Sequence, residues 1–152
     1  MDDSTLRTSV IERMGELLSD FGLNPVMGRV LGLLLCEEEP ISLIRIAQNL
    51  GVSKALVSIQ IRRLERLGYC RKLPTTKTRK HFYVLEPDYL EFSYRRRISK
   101  EIDQLSAFQK LRSQSTSAPG IIKDRLEEFL DFNYFIIAEQ QKALEKWGGD
   151  KP

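Results

Sequence analysis

The 152-residue chain has room for one domain with a proper core plus appended helices, and too little for two full-sized domains. Hydrophobic residues at 41% and charged residues at 30% exclude general disorder, and no apolar run approaches the ~18 to 20 residues that cross a bilayer. The net charge of +3 is unevenly spread: residues 53–80 hold nine basic side chains against the single acid Glu65, leaving the rest of the chain net acidic, a polarity that turns one face toward a polyanion.

In chain order, Leu6, Val10, Met14, Leu17 and Leu18 recur at spacings of three and four, which predicts an amphipathic helix from about Thr5 to Asp20, extended by Phe21 and stopped by Gly22. Asn24-Pro25 is a cap followed by proline at the first helical position, and the apolar run from Val26 to Cys36 reads as a buried helix that ends before Pro40. Ser42 caps a short helix over Leu43 to Leu50, closed by Gly51. Ser53 caps another that runs to Leu67, with Val57, Ile61 and Leu64 on one face and Gly68 as its stop. Two short helices joined by a glycine-containing turn make a helix-turn-helix. The period then changes to two: Tyr69 to Leu73 and His81 to Leu85 read as strands around the polar, basic loop Pro74 to Lys80, a hairpin wing. Pro87-Asp88 opens a long helix to about Ser113, Ser113 to Gly120 reads as a loop, and a last helix follows from about Ile121 to Trp147. The apolar residues of that last helix, Phe129, Phe132 and Phe135 among them, cover more than one ~100° stripe, so one neighbouring domain cannot bury them all.

The expected fold is therefore mainly α, an α+β winged helix-turn-helix with N- and C-terminal dimerisation helices. Residues 1–21 form the first dimerisation helix, 22–87 the DNA-binding domain and 88–152 the C-terminal helical dimerisation region. With Val57, Ile61 and Leu64 inward, helical geometry turns Lys54, Ala55, Ser58, Ile59 and Arg62 toward the major groove. Lys54 or Arg62 can donate to guanine, Ser58 can donate or accept, and Ala55 or Ile59 can meet a thymine methyl. Ser53 lies where a phosphate would approach the helix N-terminus. Arg63, Arg66, Arg71 and Lys72 suit phosphate contacts that are blind to base identity. Lys77, Arg79 and Lys80 belong to the wing and can follow the minor groove, with Arg79 best placed to sense its width.

Sequence-specific binding of double-stranded DNA by a homodimer, on an inverted-repeat operator, is the function these features imply. The alternative is a winged helix that serves architecture or protein interaction without reading sequence. Enzyme chemistry is not expected, because no nucleophile with a base, no paired carboxylates and no phosphate-binding glycine loop can be picked out. Cys36 and Cys70 sit in apolar stretches and form no CxxC pair or Cys/His cluster, and His81 is the sole histidine, so no metal or other cofactor is expected and both cysteines read as small buried hydrophobes. The start Met1-Asp2-Asp3-Ser4 lacks the layout of a secretory leader, and a cytoplasmic location is expected.

Four stretches carry a family resemblance: Pro25-Val-Met-Gly-Arg-Val-Leu-Gly32, Ile46-Ala47 with Gly51-Val-Ser-Lys-Ala-Leu-Val-Ser58, Arg63-Leu-Glu-Arg-Leu-Gly68, and Thr78-Arg-Lys-His-Phe-Tyr83. Together they resemble the MarR-like regulators, nearest to their GbsR branch, over roughly residues 22 to 90. The resemblance implies a homodimer built from the terminal helices, a cytoplasmic location, and repression relieved or modified by a small-molecule effector. It departs from the branch's pattern at Ala55, where glycine is common. Branch members respond to quaternary ammonium osmolytes, cations that bind aromatic faces. Phe82, Tyr83, Tyr89, Phe92 and Tyr94 could supply rings to such a site here; the alternative, and the more common use of aromatics at helical spacing, is packing in the core.

Overall fold

The computed structural model describes residues 2–74, 79–114 and 120–149. In chain order these form α1 (Asp3–Asp20), α2 (Pro25–Leu35), β1 (Ile41–Ser42), α3 (Leu43–Leu50), α4 (Lys54–Leu67), β2 (Cys70–Lys72), β3 (Phe82–Leu85), α5 (Tyr89–Gln114) and α6 (Gly120–Gly149). They fall into two compact units, Met1–Leu90 and Glu91–Pro152.

Helix α1 starts two residues earlier than its apolar period indicates, because the Asp2 carboxylate accepts from the Thr5 backbone N–H at 2.7 Å and caps the first turn. Its buried residues are Ile11 and Gly15, whereas Leu6, Leu17 and Phe21 are exposed. The expected stripe is thus only partly inward, and the reason is the close approach of α1 to α2. A Cβ at Gly28 would lie 2.1 Å from the Met14 carbonyl oxygen, and one at Gly32 would lie 2.8 Å from the Ile11 Cα. The two helices meet backbone to backbone, along a line of small residues and not along the leucines. Helix α2 is capped by Asn24, whose side chain accepts from Val26 N–H at 2.8 Å, and buries most of its length.

The sheet has the order β1-β3-β2 and is antiparallel throughout, with Ile41 opposite Tyr83, Cys70 opposite Leu85 and Lys72 opposite Tyr83. Strand β1 was not expected: its two residues are too few to show a period, and pairing with β3 is what makes them a strand. Between helices and sheet lies one core in which Val30, Leu33, Ile46, Val57, Ile61 and Leu64 are inaccessible to solvent. At roughly 1.5 to 3 kcal/mol for each fully buried aliphatic side chain, this layer is the main stabilising term of the first unit.

In the second unit α5 and α6 run antiparallel. Ile98 and Leu105 of α5 pack with Leu130 and Ile137 of α6, Phe108 meets Phe129 edge-on at 5.4 Å between ring centroids, and the Tyr134 hydroxyl donates to Gln109 Oε1 at 3.2 Å. Ser113 and Gln114, expected in a loop, continue α5, and Gly120 opens α6; residues 115–119 lie outside the described residues. Among the described residues no helix is long and apolar enough to cross a membrane.

Candidate nucleic-acid interface

Two glycines place α4. Gly51, at φ +63°, ends α3 in the left-handed region, and Gly68, at φ +87°, does the same for α4. A side chain at either φ would be strained, so both stops are local chemistry. Between them Ser53 caps α4, its Oγ accepting from the Leu56 N–H at 3.1 Å. A serine hydroxyl that accepts one bond can donate another, and Ser53 sits at the positive end of this helix, where anions are favoured.

Val57, Ile61 and Leu64 face the core, as the period of α4 requires. Lys54, Ala55, Ile59 and Arg62 are exposed, and Ser58 is half-buried on the flank of the same face. Ser58 and Arg62 are joined: Arg62 Nε donates to the Ser58 carbonyl oxygen at 2.9 Å and Arg62 Nη2 donates to Ser58 Oγ at 3.0 Å. Arg63 and Arg66 are exposed further round and further along the helix.

The sheet takes up part of the charge assigned to phosphates. Arg71 Nε lies 3.6 Å from Glu86 Oε2, an ion pair internal to this unit. Lys72 keeps an exposed side chain while its backbone N–H donates to Glu65 Oε1 at 3.0 Å. Glu65, the one acid of the basic segment, is thereby turned onto the sheet. Lys54, Arg79, Lys80 and His81 line, with Ser42, Leu43 and Ile44, a cleft of about 210 Å³ at the foot of the wing. The first turns of α3 and α4 and the wing base thus converge on one cationic hollow. Lys77, the remaining wing residue of the expected set, lies outside the described residues.

Three features escaped the sequence reading. Gln60 is buried within α4, and its Oε1 has no hydrogen-bond partner among the described residues. His81 joins the cationic hollow, a role its position directly after Arg79-Lys80 could have suggested. A cleft of about 410 Å³, lined among others by Arg7, Glu37, Arg45, Asn49 and Phe82, opens on the same unit.

The aromatic residues named in the sequence have different surroundings within each unit. Tyr83 is 4% exposed, part of the core, and burial pushes its hydroxyl pKa up. Phe92 and Tyr94 carry the guanidinium groups of Arg96 and Arg97 at 5.7 and 4.1 Å from their ring centres. Tyr89 pairs with Tyr69 at 6.5 Å. Cys70 is buried, and that burial, reinforced by the charges of Glu65 and Glu86, pushes its thiol up to about 12, far from a reactive thiolate. Cys36 is only half-buried, at the end of α2.

A helix-turn-helix followed by a two-stranded wing, with a third short strand closing the sheet, defines a winged helix-turn-helix protein. A crystal structure of a transcriptional regulator aligns with 94% of this chain and 98% of its own at a TM-score of 0.84 and 24% identity, and shares this fold. Two Bacillus subtilis (strain 168) proteins are similar in sequence. One, named as an HTH-type transcriptional regulator, YvaV, is 31% identical over 81 residues, covering 53% of this chain and 46% of its own. The other, the HTH-type transcriptional repressor OpcR, is 29% identical over 82 residues, covering 54% and 44%. The chain thus spans less than half the length of these relatives. No family model matches it.

Proposed function

We propose that this protein is a MarR-like transcriptional regulator, nearest to the GbsR branch, and that it binds an inverted-repeat operator in double-stranded DNA as a homodimer. The observation that carries the reading is the exposed face of α4, where Lys54, Ala55, Ile59 and Arg62 stand clear of the core while Lys54 also shares the cationic hollow with Arg79 and Lys80. A rod carrying both polar and apolar groups can read base edges in the major groove, and the hollow beside it suits the phosphate backbone. Ser53, Arg63, Arg66 and Lys72 surround that face and fix register on the duplex, with Lys77 on the wing. The regulator names of the similar B. subtilis proteins and of the aligned crystal structure support the same reading, and the repressor name of one of them favours repression. No catalytic role is proposed.

The dimer rests on the second unit. Ile121, Ile122, Phe132 and Phe135 of α6 are exposed, and a two-helix hairpin has no inner layer to take them. A second copy placed on that surface buries it and supplies a second α4, which an inverted repeat with half-sites ~34 Å apart demands. The small-molecule effector implied by the family resemblance would act by binding one arrangement of the two α4 helices better than another. A cytoplasmic location completes the proposal.

Selection of bound fragments from a random duplex pool, followed by titration against excess random competitor, tests the reading. A palindromic consensus that survives competitor supports it. Retention of random duplex with no enriched sequence would identify an architectural binder, and absence of any duplex binding in dilute buffer would assign the fold to protein interaction.

A further inference from the structure

The guanidinium of Arg62, on the exposed face of α4, is already held within its own helix. Of its five N–H donors, Nε–H and the neighbouring Nη2–H are engaged by the Ser58 carbonyl oxygen and hydroxyl, at 2.9 and 3.0 Å. This occupies the side-on edge of the fork completely. The edge left over is the end-on one, formed by Nη1 and the outer Nη2–H, and Arg62 is exposed. Two parallel N–H groups on a planar edge match the O6 and N7 acceptors that guanine alone presents in the major groove.

We infer that Ser58 and Arg62 form one preassembled guanine reader, in which Ser58 positions the guanidinium and Arg62 makes the base contact. The inference rests on the DNA-reading role proposed above and names the base and the positioning residue. A free arginine side chain loses much rotamer freedom when it docks, and that loss subtracts from discrimination. Ser58, one helical turn before Arg62, removes part of that loss before DNA arrives. The serine accepts from Arg62 with its oxygen and keeps its own proton for a neighbouring acceptor, so one hydroxyl serves both partners. Arg62 is also flanked on the exposed stripe by Ile59 and Ala55, apolar groups suited to thymine methyls and not to phosphate. That setting favours a base over the backbone as its target.

The test uses the full chain, the duplex consensus recovered by selection and its single-base variants, with Ser58→Ala, Ser58→Thr, Arg62→Ala and the Ser58→Ala/Arg62→Ala double variant. Circular dichroism and the urea midpoint serve as checks that each variant is folded; Arg62 is exposed, Ser58 is half-buried on the flank of the same face, and neither belongs to the core of the first unit. Arg62→Ala should abolish a guanine preference of about tenfold or more at one base pair in each half-site. Ser58→Ala should lower the preference at that same pair by about threefold, Ser58→Thr should retain it, and Ser58→Ala should have no further effect once Arg62 is alanine. A Ser58→Ala effect that is equally large in the Arg62→Ala background, or absent altogether, overturns the positioning role. Uniform weakening of all duplexes by Arg62→Ala overturns the guanine contact alone. Failure of the unmutated chain to select any sequence overturns the DNA-reading role and this inference with it.

Discussion

The two units of the chain solve the problem of burial differently. In Met1–Leu90 four helices and three strands close over one core, and the groups left outside are mostly charged or polar. In Glu91–Pro152 the buried hydrophobic side chains among the described residues are Ile98, Leu105, Leu130 and Ile137, while Ile122, Phe132, Phe135 and Trp147 stay in solvent's reach. A layer needs a facing layer to bury its apolar side, and the hairpin of α5 and α6 is a single layer. Under the proposed function the first unit meets a charged polymer and the second meets the apolar surface of another copy.

The largest effect that can break this contrast is a charge on the hairpin. Phe132→Asp should convert the dimer to a monomer in sedimentation at micromolar protein and weaken operator binding about a hundredfold, since loss of a central aromatic anchor costs roughly 2 to 4 kcal/mol. The thermal transition of the first unit should hardly move. A variant that remains dimeric would place the interface elsewhere.

The converse test belongs to the first unit. Gly28→Ala drives a Cβ to 2.1 Å from the Met14 carbonyl oxygen, a backbone atom that cannot rotate away. The loss should reach or exceed the usual ~1 to 3 kcal/mol of overpacking, read as a lower midpoint in urea. Gly148→Ala, whose Cβ would come no nearer than 3.7 Å to a Glu91 carboxylate oxygen, should leave stability unchanged or raise it slightly. Equal responses at the two positions would show that α1 and α2 are looser than their geometry.

These residues also show what could be read beforehand. The pairs Ser42 with Gly51 and Ser53 with Gly68 bracket α3 and α4 because capping and left-handed stops depend on a residue and its immediate neighbours. The buried side of α4 followed from the spacing of Val57, Ile61 and Leu64. The contact line of α1 did not: Gly15, Gly28 and Gly32 carry no hydrophobic signal, and their role exists only once two helices approach. Gln60 was missed for the related reason that a polar residue inside a helical period reads as outward. At the site, the basic residues were visible one by one, but not the pairing of Arg71 with Glu86, the turn of Glu65 onto the sheet, or the bond between Ser58 and Arg62. Each of those depends on distance in space.

Cys70 sharpens the comparison through pH. Its thiol is raised from 9.0 to about 12 in the folded chain, chiefly by burial. Below pH 9 both folded and unfolded chains keep the proton, and the thiol contributes no pH dependence. Between 9 and 12 only the unfolded chain ionises, so stability falls as pH rises, by about 1.4 kcal/mol per unit. Urea midpoints measured from pH 8 to 10 should therefore drop more steeply for the unmutated chain than for Cys70→Ala. Alkylation with iodoacetamide at pH 8 should label Cys36 in the native protein and Cys70 only after unfolding; early labelling of Cys70 would mean that the sheet edge opens readily.

The smallest effect separates the two duties of Ser53. Ser53→Ala removes the acceptor for Leu56 N–H and should cost about 1 kcal/mol of stability. Loss of DNA affinity in that variant would be ambiguous, because a frayed first turn also displaces Lys54 and Ala55. Ser53→Asp resolves it: aspartate caps about as well as serine and suits the helix dipole, yet it sets a negative charge against the phosphate expected there. Stability of the aspartate variant should match the unmutated chain while its affinity for every duplex, consensus or random, falls by a similar factor. Undiminished affinity would confine Ser53 to capping, and the DNA-facing set would then begin at Lys54.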